Sequence, residues 1–481
     1  MNRRPNSIAG LLVHYTQLRL NSPATRGRTM LAVGLVGAGL TGGMSLLASH
    51  THCRTQSAIR LTSVTSNNVA TRQARAQVRA TQCLTLRTHG HATRRCMPQW
   101  FAERAITGGR TMDAPGAAES FSVTPSIVRG GDGYGVAYSL LTEDRADVYF
   151  QRLSLDGQRV GAPSRISSAQ SGELALLPDV VWTGSGFAIA WTAIRDEEAL
   201  DVFVARVDAS GARQGDVIKV STSREMDLFA RVAWTGQRIA VAWLRFNGED
   251  SMSARLSLYD AQGTRVGAER VIREGFLTLG MPSLLTSGAN LTLTYNAFDL
   301  RRGQCQLLVQ RIDGDGKAQA PVVVNAERKI NAAVAAAIDG ESVSVAWEDG
   351  MFEEETNTLA FARVTGSRID VRRTPLTNGR SASFQPSAAT GTEGTMGLAW
   401  SDNRSGRFGV LMQRVGRNGR VAGEPMRLNP GQSEALFPSV TWSGSEYAVA
   451  WSDTRRGDLG VYVARVGADG RRVGEDVRVS P

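Results

Sequence analysis

The stretch YAVAWSD, residues 447–453, is the last of seven related phrases in this chain. FAIAWTA (187–193), IAVAWLR (239–245) and MGLAWSD (396–402) are its plainest copies. Their closing aromatic residues are Tyr138, Trp191, Trp243, Tyr295, Trp347, Trp400 and Trp451, spaced by 53, 52, 52, 52, 53 and 51 residues. A fixed period of this size marks a repeat architecture. The copies alternate with period two, where helical repeats would show apolar residues at three- and four-residue intervals, so they are strands.

The alternation has an unusual composition. Tyr447, Val449 and Trp451 point to one side of the strand and Ala448 and Ala450 to the other. Phe187, Ile189 and Trp191 against Ala188 and Ala190 repeat the arrangement. A sheet with one wet face would carry polar residues at the alanine positions, so both faces are expected to be covered. The bulky face of one copy then packs on the alanine face of another, interdigitating large with small.

The final copy divides into four strands: PSVTWSG (438–444), EYAVAWSD (446–453), LGVYVARV (459–466) and RRVGEDVRVS (471–480). Glycine turns separate the first two strands at Thr183-Gly184-Ser185-Gly186, Thr235-Gly236-Gln237 and Ser443-Gly444-Ser445. Asp156-Gly157, Asp315-Gly316, Asn418-Gly419 and Asp469-Gly470 are hairpin signals between the last two. Asp313-Gly-Asp315-Gly reads as such a turn rather than a calcium loop. Four-stranded meanders stacked face to face predict an all-β, seven-bladed β-propeller of antiparallel blades over residues 105–481.

The pattern "PSVTWSG…YAVAWSDTRRGDLGVYVARVGADG" resembles propeller repeats of the WD40 and Tol-system type. It more closely resembles the tandem-repeat β-propeller proteins exported by myxobacteria and similar bacteria. The resemblance covers roughly residues 105–481. It implies that the PSVTW strand lies at a central channel and the RVGEDVRVS strand at the rim, and it says little about activity. ITGGRTMDAPG (106–116) resembles EPMRLNPG (424–431) and is expected either to pair with the last blade or to cover an edge.

The net charge of +10 belongs to the leader alone. Residues 1–100 hold 13 Arg and no acid, whereas the remaining 381 hold 42 basic and 45 acidic groups, a balance of −3. The body therefore offers no basic surface for nucleic acid. All five histidines precede residue 100, and Cys305 is the one cysteine beyond it. An internal disulfide, a Cys/His zinc site and a Ser-His-Asp triad are thereby excluded from the body. No cofactor and no metal are expected.

Arg outnumbers Lys 52 to 3, which points to a GC-rich bacterial coding sequence. The leader, residues 1–104, contains the apolar run LAVGLVGAGLTGGMSLLA (31–48) behind Arg26 and Arg28, the charge order of a secretory signal or membrane anchor. Residues 49–104 lack apolar periodicity and are expected to be disordered. An organelle transit peptide and a gene start placed too far upstream are the alternatives. Export to the periplasm, the outer-membrane surface or the medium is the reading adopted.

A residue that recurs in nearly every copy is a building part, because a ring binds an ordinary ligand at one asymmetric place. Arg152, Arg206, Arg311, Arg414 and Arg465, with Arg363 in a shifted copy, are therefore expected to make blade-to-blade or strand-to-loop hydrogen bonds. Function is sought where the copies diverge, in the connections from second to third strand. The binding candidates there are Arg195, Arg302, Asp349, Glu353, Glu354, Glu355, Asp402, Arg404, Asp453 and Arg455. Arginine forks match planar oxyanions, whereas a solvated charged rim is the plainer expectation.

These features point to a noncatalytic binding or scaffolding propeller that recognises an envelope or extracellular protein or a glycan. Its oligomeric state is open, and membrane contact is expected only through an N-terminal anchor. The alternative is a carboxylate-dependent glycoside hydrolase or sialidase-like enzyme, a chemistry that needs no histidine, metal or thiol. The sialidase turn motif S-x-D-x-G-x-T-W is absent from all seven copies, so no catalytic residue is assigned.

Overall fold

The computed structural model describes residues 81–88, 91–98 and 120–481, except 143–144, 169–172, 197–198, 224, 248–250, 279, 300–303, 328–330 and 350–356. Seven antiparallel meanders of four strands follow one another at 121–165, 174–219, 227–276, 283–327, 331–375, 383–427 and 435–478. The first two are joined by a single parallel bridge, Ala146 to Leu174, into an eight-stranded sheet, and the other five are separate sheets. Among the described residues the one helical element is a 3-10 turn, Thr392–Gly394. The fold is all-β and β-propeller-like.

Packing between meanders follows the large-against-small rule. Ala188 and Ala190 of the second meander cluster with Ile239, Val241 and Trp243 of the third. Ala346 of the fifth clusters with Leu398 and Trp400 of the sixth, and Ala399 of the sixth with Tyr447, Val449 and Trp451 of the seventh. Ala448 and Ala450 of the seventh cluster in turn with Tyr134, Val136 and Tyr138 of the first. All five repeat tryptophans are at most 2% exposed, and burying one such side chain contributes roughly 1.5–3 kcal/mol. Gly397 stands at an alanine position because a Cβ there would lie 2.3 Å from the Tyr447 ring.

The first and seventh meanders also share hydrogen bonds. Ser122 N donates to Leu459 O at 2.8 Å, Ile127 N to Ser439 Oγ at 3.1 Å and Arg129 N to Thr441 Oγ1 at 3.1 Å. Four of the third-strand arginines act between meanders, whereas Arg152 bonds Asp132 and Arg363 bonds Ser344 and Asp339 within their own. Arg206 Nη1 donates to Ala261 O at 3.2 Å and Arg311 Nη2 to Glu341 O at 2.6 Å, while Arg414 reaches Ala468 O. Arg465 Nη1 donates to Glu446 Oε1 at 3.0 Å and to Leu155 O of the first meander at 3.5 Å.

Six of the seven first strands are bulged, the exception being Ser283–Ser287 of the fourth meander. Thr124, Leu177, Phe229, Gln385 and Phe437 have φ between 50° and 59°, in the left-handed region that costs a non-glycine residue on the order of 1–3 kcal/mol. Proline follows four of the five, at 125, 178, 386 and 438. Its missing N–H withdraws that residue from the ladder, and the register shifts fall there.

The fourth strand ends in a second recurring device. The residues that follow it, Ile166, Val220, Leu376, Leu428 and Val479, donate N–H to the carbonyls of Val148, Val202, Leu359, Val410 and Val461. The next side chain, Ser167, Ser221, Thr377, Asn429 or Ser480, accepts the N–H of the same third-strand residue at 2.9–3.0 Å. An apolar residue followed by Ser, Thr or Asn thus closes these meanders at the loop end.

Within the leader, Thr81–Thr88 pairs antiparallel with His91–Pro98. This hairpin departs from the expectation of a leader without regular structure; the three threonines of TQCLTLRT favour extended backbone. The apolar run 31–48 and the segment 106–116 lie outside the described residues, and the seventh meander supplies four strands of its own. No described helix is long and apolar enough to cross a membrane.

Candidate functional site

In the sixth and seventh meanders the connection from second to third strand begins at a Trp-x-Asp sequence. In the seventh, Trp451 Nε1 donates to Asp453 Oδ2 at 2.9 Å, and Arg455 folds back to the same carboxylate through its backbone N at 2.8 Å and Nη2 at 2.7 Å. Arg455 also reaches Asp476 Oδ2 at 2.5 Å, with its guanidinium 4.1 Å from the Tyr462 ring centroid. Asp453 is fully buried. The sixth meander repeats the device: Asp402 accepts Trp400 Nε1 at 3.0 Å, Arg404 Nε at 2.8 Å and the hydroxyls of Ser381 and Ser383 at 3.2 and 2.9 Å. Burial opposes ionisation of Asp402, yet the Arg404 and Trp400 donors hold its carboxyl below the usual range.

Other meanders build the same neutralised corner from different positions. In the third, Asp227 lies on the first strand and accepts Trp243 Nε1 at 2.8 Å and Arg245 Nε at 2.7 Å, while Arg245 Nη1 bonds Glu269 Oε1 at 2.6 Å. Burial outweighs these bonds and raises the Asp227 carboxyl. In the first and second, Asp147 pairs with Arg165 at 2.8 Å and Asp201 with Lys219 at 2.8 Å.

The fifth meander differs. Asp349 is 3% exposed and its Oδ2 accepts Arg373 Nε, from the fourth strand, at 2.9 Å. Trp347 Nε1 and Asp349 Oδ1 are buried without a hydrogen-bond partner. Beside them Glu348 is fully buried where the sixth and seventh meanders carry Ser401 and Ser452. Glu348 Oε1 accepts the N–H of Gln385 at 2.7 Å, and Gln385 Oε1 accepts Phe437 N at 3.1 Å and Ser401 Oγ at 3.2 Å. Burial pushes the Glu348 carboxyl up to about 8.

Of the sequence candidates, Asp349, Asp402, Arg404, Asp453 and Arg455 are thus paired within their own meanders, and Asp402 and Asp453 both act on the charge of Arg427. Arg195 lies in the strand Gly186–Asp196, with its side chain outside the described residues. Arg302, Glu353, Glu354 and Glu355 also lie outside them. Sequence reasoning missed Glu348 and Gln385; the signal was an acid immediately after the anchor tryptophan, where other copies carry Ser, Thr, Asn or Leu. Among the described residues no group of three or more metal-ligating side chains is assembled.

No family model and no curated protein matches the chain. Solved structures similar to it include the Pyrococcus horikoshii acylaminoacyl peptidase, at 13% identity and a TM-score of 0.45 over 76% of this chain and 53% of that one. A subtype N10 neuraminidase-like protein of A/little yellow-shouldered bat/Guatemala/060/2010 is similar at 9% identity and 0.40, over 76% of this chain and 97% of that one. The Fusarium graminearum GH93 alpha-L-arabinofuranosidase is similar at 10% identity and 0.42, over 64% and 93%. The chain spans about half the length of the peptidase.

Proposed function

We propose that the seven meanders are the blades of a closed propeller that works as an exported, noncatalytic binding or scaffolding module. Its loop face recognises an envelope or extracellular protein or a glycan, and a membrane is met only through an N-terminal anchor. The observation that carries this reading is the state of the loop-face acids. Asp402, Asp453 and Asp227 are each occupied by an arginine and an indole N–H. A glycosidase needs one acid poised to give a proton and another free to attack or to activate water. Carboxylates locked in this way serve as struts instead. They fix the roots of the connecting loops, which leaves recognition to the divergent loop tips.

The test is to screen the full chain against glycan and envelope-protein arrays, with a glycosidase panel alongside. Saturable binding without turnover is expected. Turnover abolished by substituting a loop carboxylate would replace this reading with the hydrolase.

A further inference from the structure

Three joints between consecutive meanders carry the same clasp. Arg213, two residues after the turn glycine Gly211, donates from Nη1 to Ile166 O of the preceding meander at 3.1 Å. Arg265, two residues after Gly263, reaches Val220 O, and Arg472, two residues after Gly470, donates to Leu428 O at 2.8 Å. Each acceptor directly follows its meander's fourth strand. In the same register Arg159 stands two residues after Gly157, and the matching acceptor across the first–seventh joint is Val479.

That bond is not made. Arg159 is exposed and makes no hydrogen bond or ion pair among the described residues, its charge acting on the Tyr138 hydroxyl. A shallow, open cavity lies at this joint, lined by Gln158 and Arg159 of the first meander and Arg456, Asp458, Asp476 and Arg478 of the seventh. Both acids are already engaged: Asp458 with Arg478 at 3.1 Å, and Asp476 with Arg455 at 2.5 Å and with Arg472. Arg456 is exposed and, like Arg159, makes no hydrogen bond or ion pair among the described residues, its charge acting on the Tyr462 hydroxyl. The cavity therefore presents two guanidinium groups, one from each side of the joint, that make no hydrogen bond or ion pair among the described residues, while Asp458 and Asp476 are paired and Arg478 also reaches Pro481 O.

We propose that this cavity binds an oxyanion, a carboxylate or phosphate group, between Arg159 and Arg456. Guanidinium forks suit the planar or tetrahedral array of acceptor oxygens that such a group offers. The bound anion supplies the acceptor that the other joints take from a backbone carbonyl. Because its two holders come from the first and last meanders, binding also stabilises their contact, and the melting temperature rises with ligand concentration. Arg456 belongs to the seventh meander's connection from second to third strand, so the site adjoins the loop face, but its test does not require knowing what the other loops recognise.

The experiment titrates the full chain with inorganic phosphate and, separately, with glucuronate, at constant ionic strength against a chloride control, by calorimetry and thermal melting. Saturable binding of at least one anion is expected, the preferred one distinguishing a phosphate from a carboxylate ligand. Arg159→Gln and Arg456→Gln should each weaken it by about tenfold or more, whereas Arg213→Gln, whose guanidinium serves another joint, should leave the affinity unchanged. Arg456 makes no hydrogen bond or ion pair among the described residues, so its loss can be read without a folding defect. No binding above the chloride control, or wild-type affinity in both Arg159→Gln and Arg456→Gln, overturns the proposal.

Discussion

The seventh and fifth meanders carry the same Trp-x-Asp sequence and use it differently. In the seventh, Trp451, Asp453 and Arg455 form a closed set in which the carboxylate satisfies both the indole and the guanidinium. In the fifth, Asp349 takes Arg373 from another strand, Trp347 Nε1 is left without a partner, and the intervening position is a buried glutamic acid. Repetition of the aspartate is therefore a matter of architecture. The fifth meander keeps the position but exchanges its partners, and its polar links run onward through Gln385 to the sixth and seventh.

The contrast is sharpest on truncation. Asp453→Ala strands the buried indole N–H and leaves the Arg455 guanidinium with Asp476 as its remaining carboxylate, and should lower unfolding free energy by about 2–3 kcal/mol in denaturant titration. Asp349→Ala leaves Arg373 about a third exposed, free to be hydrated, and should cost about 1 kcal/mol. Equal losses would break the comparison.

Glu348 makes a prediction in pH. Its folded-state pKa of about 8 lies above the ordinary 4.5, so the folded chain binds the extra proton. Relative stability is therefore fully present below about 4.5 and is lost as pH rises towards 8, at up to about 1.4 kcal/mol per pH unit. Glu348→Gln should remove that slope; an unchanged pH profile would show that the carboxyl is not held neutral. A smaller effect is expected at the meander ends. Ser480→Ala removes the acceptor for Val461 N at 3.0 Å and should cost about 1 kcal/mol, with Ser221→Ala similar in the second meander. A neutral outcome at both would mean that these hydroxyls are replaceable by water.

Much of this order was legible in the sequence. The seven aromatic anchors, the alanine faces and the turn glycines Gly157, Gly316, Gly419 and Gly470 each imposed a local constraint that the structure obeys. The recurrence rule also read Arg206, Arg311, Arg414 and Arg465 as links between meanders. Arg404 and Arg455 recur in the same way, but they were sought as ligands because they sit in otherwise divergent loops. Their bonds to Asp402 and Asp453 come from an Asp-x-Arg turn closing on itself, a local geometry that loop variability hides. The first-strand bulges were missed because a residue before proline is ordinarily expected to be extended, and here the ladder turns it over. The clasp formed by Ser167, Ser221 and Ser480 was missed because a single hydroxyl after a strand looks like any loop residue until the copies are superposed.

The central claim is that the first and seventh meanders are neighbours as the second and third are. It is tested most directly by electron spin distance measurement between labels on exposed turn residues, with the native cysteines replaced by alanine. The pair Asp132→Cys and Ser445→Cys spans the first–seventh joint, and the pair Ser185→Cys and Gln237→Cys spans the second–third joint as an internal ruler. Two similar short distances are predicted. A first–seventh distance several times the ruler, as in an open array of meanders, would contradict the account.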